Sequence, residues 1–255
     1  KGGLALLREK PTIVFGVDVN HPPPSSSKPS FSALVATMDA ECSQYYSIVG
    51  AQSARKELVD LKDKVRTCLR KFAEKNRAPP QRIIFFRDGV ANNQFANECQ
   101  EEIRAIKEAA FEEGGADYVP ELLYIVVQQR TRMRFAAVDT RTGEVPRGQQ
   151  GNVPCCTVVD QDVVSRTPDG QAPNNFYFVG QHGLKGTCRP THYHILSNDT
   201  NATLEDVERL TADLCFLYAR ATKVVSRPAP VYYAHRAAFL AQYYEPNYRE
   251  IGDSW

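Results

Sequence analysis

Apolar and polar positions follow two periods along this chain, and the change of period organises it. Thr12-Ile-Val-Phe-Gly-Val-Asp-Val19 is rich in β-branched residues and nearly all apolar, the pattern of a strand covered on both faces. Phe31 to Met38 and Tyr45 to Gly50 read as two more strands. The Pro22-Pro-Pro-Ser-Ser-Ser-Lys-Pro29 stretch is a loop by its composition. Short connections between the three runs predict an antiparallel meander. The period then lengthens: from Arg55 to Phe72, Leu58, Leu61, Val65, Leu69 and Phe72 form one helical stripe. Arg82-Ile-Ile-Phe-Phe-Arg87 is another central strand, closed by Asp88-Gly89. A second helix follows with Phe95, Cys99, Ile103, Ile106 and Ala110 on one side, and Leu122 to Val127 is a fifth core strand. Strand, helix, strand, helix, strand implies right-handed crossovers and parallel pairing. The expected fold is α/β, a mixed five-stranded sheet with helices on both faces.

The remainder is less regular. Residues 139–175, rich in Gly, Pro, Asn and Asp, suggest hairpins and loops. Thr203-Leu-Glu-Asp206 matches a capping box ahead of Leu204, Val207, Leu210, Leu214 and Leu217. Pro228-Ala-Pro230 separates that helix from a last one, roughly Val231 to Tyr244. Neither a linker nor an internal repeat is visible, so residues 1–255 read as a single domain.

Composition narrows the class. The 255 residues are ample for a packed core. Lys plus Arg is 31 against 30 Asp plus Glu, a net charge of +1, which excludes a histone-like polycation and an acidic solvating tail. No run approaches the roughly 18 apolar residues of a membrane helix, and no secretory signal pattern opens the chain. The seven cysteines are scattered without a Cys-x-x-Cys pair and read mostly as small buried hydrophobes of a reducing compartment. His192-Tyr-His194 near Cys188 is the sole cluster with zinc-ligand residue types, although loop histidines more often make hydrogen bonds. The triplets Asn198-Asp-Thr200 and Asn201-Ala-Thr203 fit glycosylation on paper, but such triplets arise by chance and Thr203 serves better as a helix cap. The reading is an intracellular, cytoplasmic protein with room for a nuclear pool.

Two residues point to chemistry. Asp18 stands inside an apolar run, where an unpaired carboxylate is costly to desolvate. Taken alone, it reads as a strand-end Asp bonded to backbone amides. Asp88, however, repeats the situation after Ile-Ile-Phe-Phe-Arg. Two core strands delivering carboxylates to one end of a sheet make a metal-site arrangement, suited to Mg²⁺ or Mn²⁺. Two such ions about 3.5–4 Å apart would serve phosphodiester cleavage.

Five motifs then occur in order. They are Gly16-Val-Asp-Val-Asn-His-Pro22; Phe86-Arg-Asp-Gly-Val90 with Gln94; Ile125-Val-Val-Gln128; Gly186-Thr-Cys-Arg-Pro-Thr-His-Tyr-His194; and Pro228-Ala-Pro-Val-Tyr-Tyr-Ala-His235. Together they closely resemble the Piwi domain of eukaryotic Argonaute proteins, over essentially the whole chain from Lys1-Gly-Gly3. The resemblance implies an RNase H-like fold and a guide-directed, Mg²⁺-dependent RNA endonuclease, with Mn²⁺ able to substitute and with 3′-hydroxyl and 5′-phosphate products. It implies a catalytic tetrad of Asp18, Glu57, Asp88 and His235 around two ions, with Asp18, Asp88 and His235 as metal ligands. Glu57 is matched through Arg55-Lys-Glu57 after Gln52, though its flanking residues differ from the usual ones. Outside the motif, Glu57 would be a helix-start carboxylate and His235 a hydrogen-bonded helix histidine.

Guide pairing would read sequence while the protein holds the A-form duplex by phosphates and 2′-hydroxyls, which calls for a basic groove. Arg130, Arg132 and Arg134 alternate with Thr131, Met133 and Phe135, so a strand would place all three guanidiniums on one face. Lys185 and Arg189 lie in one acid-free segment, and Arg220, Lys223, Arg227 and Arg236 in another. By resemblance, Arg189, Arg220, Ser226 and Tyr232 contact guide backbone. The implied partners are a small guide RNA, a complementary target RNA, the other Argonaute lobes of a longer chain and silencing adaptor proteins; no membrane is implied. Departures from the family pattern are Leu240 and Gln242, where animal members commonly carry arginines that help hold the guide 5′-phosphate, and an ending at Gly252-Asp-Ser-Trp255 in place of a short apolar tail. They suggest a domain excerpt or a chain without an ordered tail, from a non-animal lineage, a fungal one among the options. A binding module that represses through partners without cutting, and an unguided RNase H-like nuclease, are the competing readings.

Charge is segregated rather than scarce. Residues 98–121 hold eight acids and two bases, whereas 127–136, 182–194 and 219–240 hold nine Lys/Arg and no acid.

Overall fold

The structure is a computed structural model that describes residues 4–23, 29–52, 61–144, 151–165, 174–181, 183 and 186–244. Glu57 and Lys185 lie outside the described residues.

A short helix α1 (Ala5–Arg8) leads into β1 (Thr12–Asn20), followed by β2 (Ser30–Thr37) and β3 (Tyr45–Gln52). These pair antiparallel as a meander, Val17 opposite Leu34 and Leu34 opposite Ile48. Next come α2 (Leu61–Asn76), β4 (Arg82–Asp88), α3 (Gln100–Gly114) and β5 (Glu121–Gln128). β4 runs parallel to β1, and β5 parallel to β4, with Val17 beside Arg87 and Asp88 beside Val127. The five expected strands and their mixed pairing are therefore present.

The strand count differs from expectation. The sheet has eight strands in the order β3-β2-β1-β4-β5-β8-β7-β6, extended by β6 (Thr157–Val159), β7 (Asn175–Val179) and β8 (Thr191–Asn198). β8 lies antiparallel to β5, and β7 antiparallel to β8. Thr-His-Tyr-His is a poor strand signal because its histidines break the apolar pattern, yet Tyr193 and Ile195 are buried at alternate positions. β6 is three residues long and sits in a turn-rich stretch. Two helix boundaries also move. α2 continues past Phe72 to Asn76, its expected start at Arg55 falling outside the described residues, and a 3₁₀ turn with one π turn (92–99) precedes α3.

Period-2 alternation splits each central strand between two cores. Ile13, Phe15, Val17, Ile83, Phe85, Leu122, Tyr124 and Val126 pack against α2 and α3 through Val65, Leu69, Phe72, Ile103 and Ile106. The alternate residues, Val14, Ile84, Phe86, Leu123, Ile125 and Val127, face α4 (Leu204–Phe216) and α5 (Ala229–Ala241). Each such Leu, Ile or Phe contributes about 1.5–3 kcal/mol by leaving water. Thr203 caps α4 as expected, accepting from the Asp206 amide at 3.2 Å while Asp206 Oδ2 accepts the Thr203 amide at 3.0 Å. All seven cysteines are free thiols, five of them buried.

One close approach sets the position of α5. Pro228 caps it, Pro230 lies in its first turn, and the helix lies across β1 at Gly16. A Cβ at Gly16 would stand 2.2 Å from the Pro230 carbonyl carbon and 2.3 Å from the Val231 nitrogen. Both neighbours are backbone and cannot yield. Gly16→Ala therefore forces α5 off the sheet, and urea denaturation is expected to show a loss of about 3 kcal/mol or more.

Candidate active site

The alternation that builds the two cores also places the carboxylates. Gly16 and Asp18 share one face of β1, and Phe86 and Asp88 share the same face of β4. Because Val17 pairs with Arg87 in parallel register, Asp18 and Asp88 stand on neighbouring strands, about 4.8 Å apart along the hydrogen-bonding direction. Both are nearly buried, at 7% and 6% exposure. Gly89 follows Asp88 with φ +89°, a left-handed turn that favours glycine, and its missing Cβ would lie 3.8 Å from Asp18 Oδ1.

α5 supplies the third group. From Pro230, held against Gly16, to His235 the helix rises about 7.5 Å, while β1 advances about 6.6 Å from Gly16 to Asp18. The two distances match, and His235 Nδ1 reaches Asp18 Oδ2 at 2.6 Å. An ionised carboxylate can only accept, so Nδ1 carries the proton in this bond. Asp18 Oδ1 accepts the Val19 amide at 2.9 Å. Burial works to raise the Asp18 carboxyl, but the His235 hydrogen bond and charge, with Arg227 and Arg87, outweigh it and hold the group below its usual value.

Asp88 has different surroundings. Its Oδ2 accepts from Arg227 Nη1 at 2.8 Å and from Gln129 Nε2 at 2.7 Å. Burial, and then the nearby charge of Asp18, push the Asp88 carboxyl above its usual value against the pull of Arg227 and Gln129. On the opposite face of β4, the fully buried Arg87 donates through Nε to Glu102 at 3.1 Å and through Nη1 to the Asp88 carbonyl. Tyr124 also donates to Glu102. This network anchors the backbone that carries Asp88.

Of the expected tetrad, Asp18, Asp88 and His235 meet at one end of the sheet. They meet in two pairs, Asp18 with His235 and Asp88 with Arg227. Among the described residues, no three Asp, Glu, His or Cys side chains stand close enough to hold an ion by themselves. The donor chemistry nevertheless fits a divalent cation. Two carboxylates face the same way, and each raises the cost of ionising the other, a repulsion such an ion would relieve. Sequence reasoning missed Arg227, Gln129 and Glu102 as neighbours of the site. Their partners lie 139, 41 and 15 residues away along the chain, beyond any local pattern.

The basic residues divide by exposure. Arg130, Arg132 and Arg134 are exposed and alternate with half-buried Thr131, Met133 and Phe135, as expected, although the segment forms no strand. The segment is held by the Thr131 hydroxyl on the Pro190 carbonyl and by a bridge between Ala136 and Asn152. Arg134 turns back to the Thr131 and Met133 carbonyls. Arg189 and Arg220 are exposed, whereas Ser226 and Tyr232 are half-buried. The Ser226 carbonyl accepts from Thr191 and Tyr193, and the Tyr232 ring lies under Arg227 at 4.6 Å.

The zinc-type cluster proves to be a polar stack. His192 Nε2 meets Asn175 Oδ1 at 2.9 Å, His194 Nε2 meets Gln128 Oε1 at 3.2 Å, and the two rings lie 3.8 Å apart. Cys188 Sγ instead contacts the Gln181 carbonyl.

A mixed sheet with helices on both faces and two carboxylates on adjacent parallel strands defines an RNase H-like protein. The Piwi domain model matches residues 2–245, and the chain belongs to the Piwi family. It is 40% identical to protein argonaute MEL1 of Oryza sativa subsp. japonica over 262 residues, covering 96% of this chain and 24% of that protein. The chain thus spans about a quarter of the curated relatives it matches. The C-terminal lobe of a budding yeast Argonaute superposes with a TM-score of 0.84 at 28% identity, covering 99% of this chain and 52% of that one. Kluyveromyces polysporus Argonaute with a guide RNA superposes at 0.81 and 28% identity, covering 94% and 29%.

The histidine stack makes acid stability testable. Burial, then the charge of His194, lowers His192 from 6.5 to about 3, and burial lowers His194 to about 4. Unfolding lets both rings take up protons, so their contribution is complete above about 6.5 and is lost as pH falls towards 4 and 3. A His192→Gln/His194→Gln double variant should lose less stability than wild type between pH 7 and pH 4, as read by thermal melts.

Proposed function

We propose that the chain is the catalytic Piwi domain of an Argonaute, a small-RNA-guided endoribonuclease that hydrolyses the guide-paired target strand during RNA silencing. The observation that carries this reading is the pair Asp18 and Asp88, buried side by side on adjacent strands with His235 bonded to Asp18, in a chain of this family. Mg²⁺ would be held by Asp18 and Asp88, with Glu57 and His235 completing the family's set. When bound, the metal would acidify the attacking water and take up charge building on the scissile phosphate.

The chain's own residues prepare that step. Asp18 fixes the His235 ring by accepting its Nδ1 proton. The Arg87–Glu102–Tyr124 network holds Asp88 in place from behind the sheet, a preorganisation that limits reorientation during reaction. Arg130, Arg132, Arg189 and Arg220 make no ion pair among the described residues and are exposed for phosphates. Base pairing with the guide supplies the sequence selection. The other lobes of a longer chain, adaptor proteins and a cytoplasmic setting belong to the same proposal.

A second reading, a guide-and-target binding module that does not cut, is favoured by the Arg227 guanidinium on Asp88. Asp88→Ala in the full-length, guide-loaded protein separates the two. Cleavage of a matched target in Mg²⁺ is expected to fall by more than about 100-fold, with target binding retained. If wild type and variant bind alike and neither cuts, the binding reading stands; cutting without a guide would establish an unguided nuclease. Independently, each of Arg130→Ala, Arg189→Ala and Arg220→Ala should weaken RNA binding regardless of sequence and reduce the salt slope by roughly 0.7 per lost contact.

A further inference from the structure

The carboxylate site contains a cation built into the chain. Arg227 is 7% exposed, and its Nη1 lies 2.8 Å from Asp88 Oδ2. Three features set its position. The preceding Ser226 carbonyl is held by the Thr191 hydroxyl at 3.0 Å and the Tyr193 hydroxyl at 3.2 Å. The following Pro228 starts α5. The guanidinium itself stacks 4.6 Å from the Tyr232 ring centroid, where cation–π attraction supports it.

The fork is incompletely used. Only one Arg227 bond to Asp88 is made, and its Nε is buried without a hydrogen-bond partner among the described residues. Arg227 and Gln129 both donate to the same oxygen, Oδ2, which fills its two lone-pair directions. An ion that used this oxygen would have to displace one of the two donors. Of these, Arg227 is the one that also repels a cation by like charge, strongly so in a site this dry.

We propose that Arg227 is a resident counter-cation that competes with the divalent ion for Asp88 and so sets the metal concentration at which the site loads. This rests on the metal-dependent reading above and makes Arg227 a positioning residue rather than a catalytic one. With Arg227 in place, Asp88 is neutralised and fixed before metal arrives. Loading then includes the cost of separating that pair.

Metal binding tests this without activity. Mn²⁺ is titrated into purified full-length protein, with free Mn²⁺ read by electron paramagnetic resonance and stability by thermal melting. Arg227→Gln keeps a donor to Asp88 and removes the charge, and Arg227→Met serves as the second neutral variant. Either should reach half-saturation at least about tenfold lower in Mn²⁺ than wild type. Their melting temperatures should also rise more steeply with Mn²⁺, as mass action requires. Arg227→Lys should stay near the wild-type midpoint.

Wild type and neutral variants sharing one midpoint, with melting temperatures lowered equally at every Mn²⁺ concentration, would make Arg227 merely structural and overturn the proposal. Weakened guide-RNA binding with an unmoved Mn²⁺ midpoint would make it an RNA phosphate ligand and overturn it too. Failure of the underlying reading looks different: neither wild type nor the neutral variants would take up Mn²⁺, and Asp88→Asn would change nothing. Binding by the neutral variants alone would support the competition in its strongest form.

Discussion

Two carboxylates buried on adjacent strands impose the constraint on which the rest of this structure depends. The parallel pairing of β1 with β4 brings Asp18 and Asp88 together on one face of the sheet. Neither can remain charged there without compensation, because water is largely excluded and each raises the cost of ionising the other. The fold answers with His235 on Asp18 and Arg227 on Asp88. Both come from the segment that begins α5, so that helix must be seated accurately against β1. Gly16 makes the seating possible by allowing the Pro230 backbone to touch the strand.

The two faces of the sheet have separate duties. The face against α2 and α3 is an apolar core with one buried polar network, in which Arg87 and Glu102 satisfy each other and tie down the Asp88 carbonyl. A buried pair of this kind is poor evidence for net stability but strongly resists the loss of either partner. The face against α5 carries Asp18 and Asp88, the carboxylates of the proposed site. Successive residues of one strand, Arg87 and Asp88, thus serve on opposite faces, one in the buried support and one in the proposed site, a direct consequence of side chains alternating along a pleated backbone.

Electrostatics follow the same separation. The acids of 98–121 gather on and after α3, where Glu112 pairs with Lys62 and Arg66, and Glu113 with Arg70. The exposed arginines of 130–134, 189 and 220 lack such partners among the described residues. A net charge of +1 therefore averages an acid-rich helix and acid-free basic segments, and a nucleic-acid surface is compatible with near-neutrality when opposite charges occupy different faces.

Hydrophobic periodicity determined the first five strands and the helices between them, because burial on one or both faces writes directly into residue spacing, and the length and kind of their connections determined the sense of their pairing. The same reasoning located Asp18 and Asp88, since a charged residue in an apolar run is conspicuous, and the ordered motifs identified His235. β6 to β8 escaped because one is three residues long and another carries histidines whose amide partners, Asn175 and Gln128, come from other strands. Arg130, Arg132 and Arg134 alternate in exposure as their spacing implies, but without a strand to pair with, for pairing needs a neighbour that no local pattern specifies. Arg227 was legible as one base among several. Its place on Asp88, 139 residues away in the chain, was decided by tertiary structure, through the capping of α5 at Pro228 and the touch of Pro230 on Gly16. Local spacing encodes which face a residue takes; which partner meets it there depends on how distant elements pack.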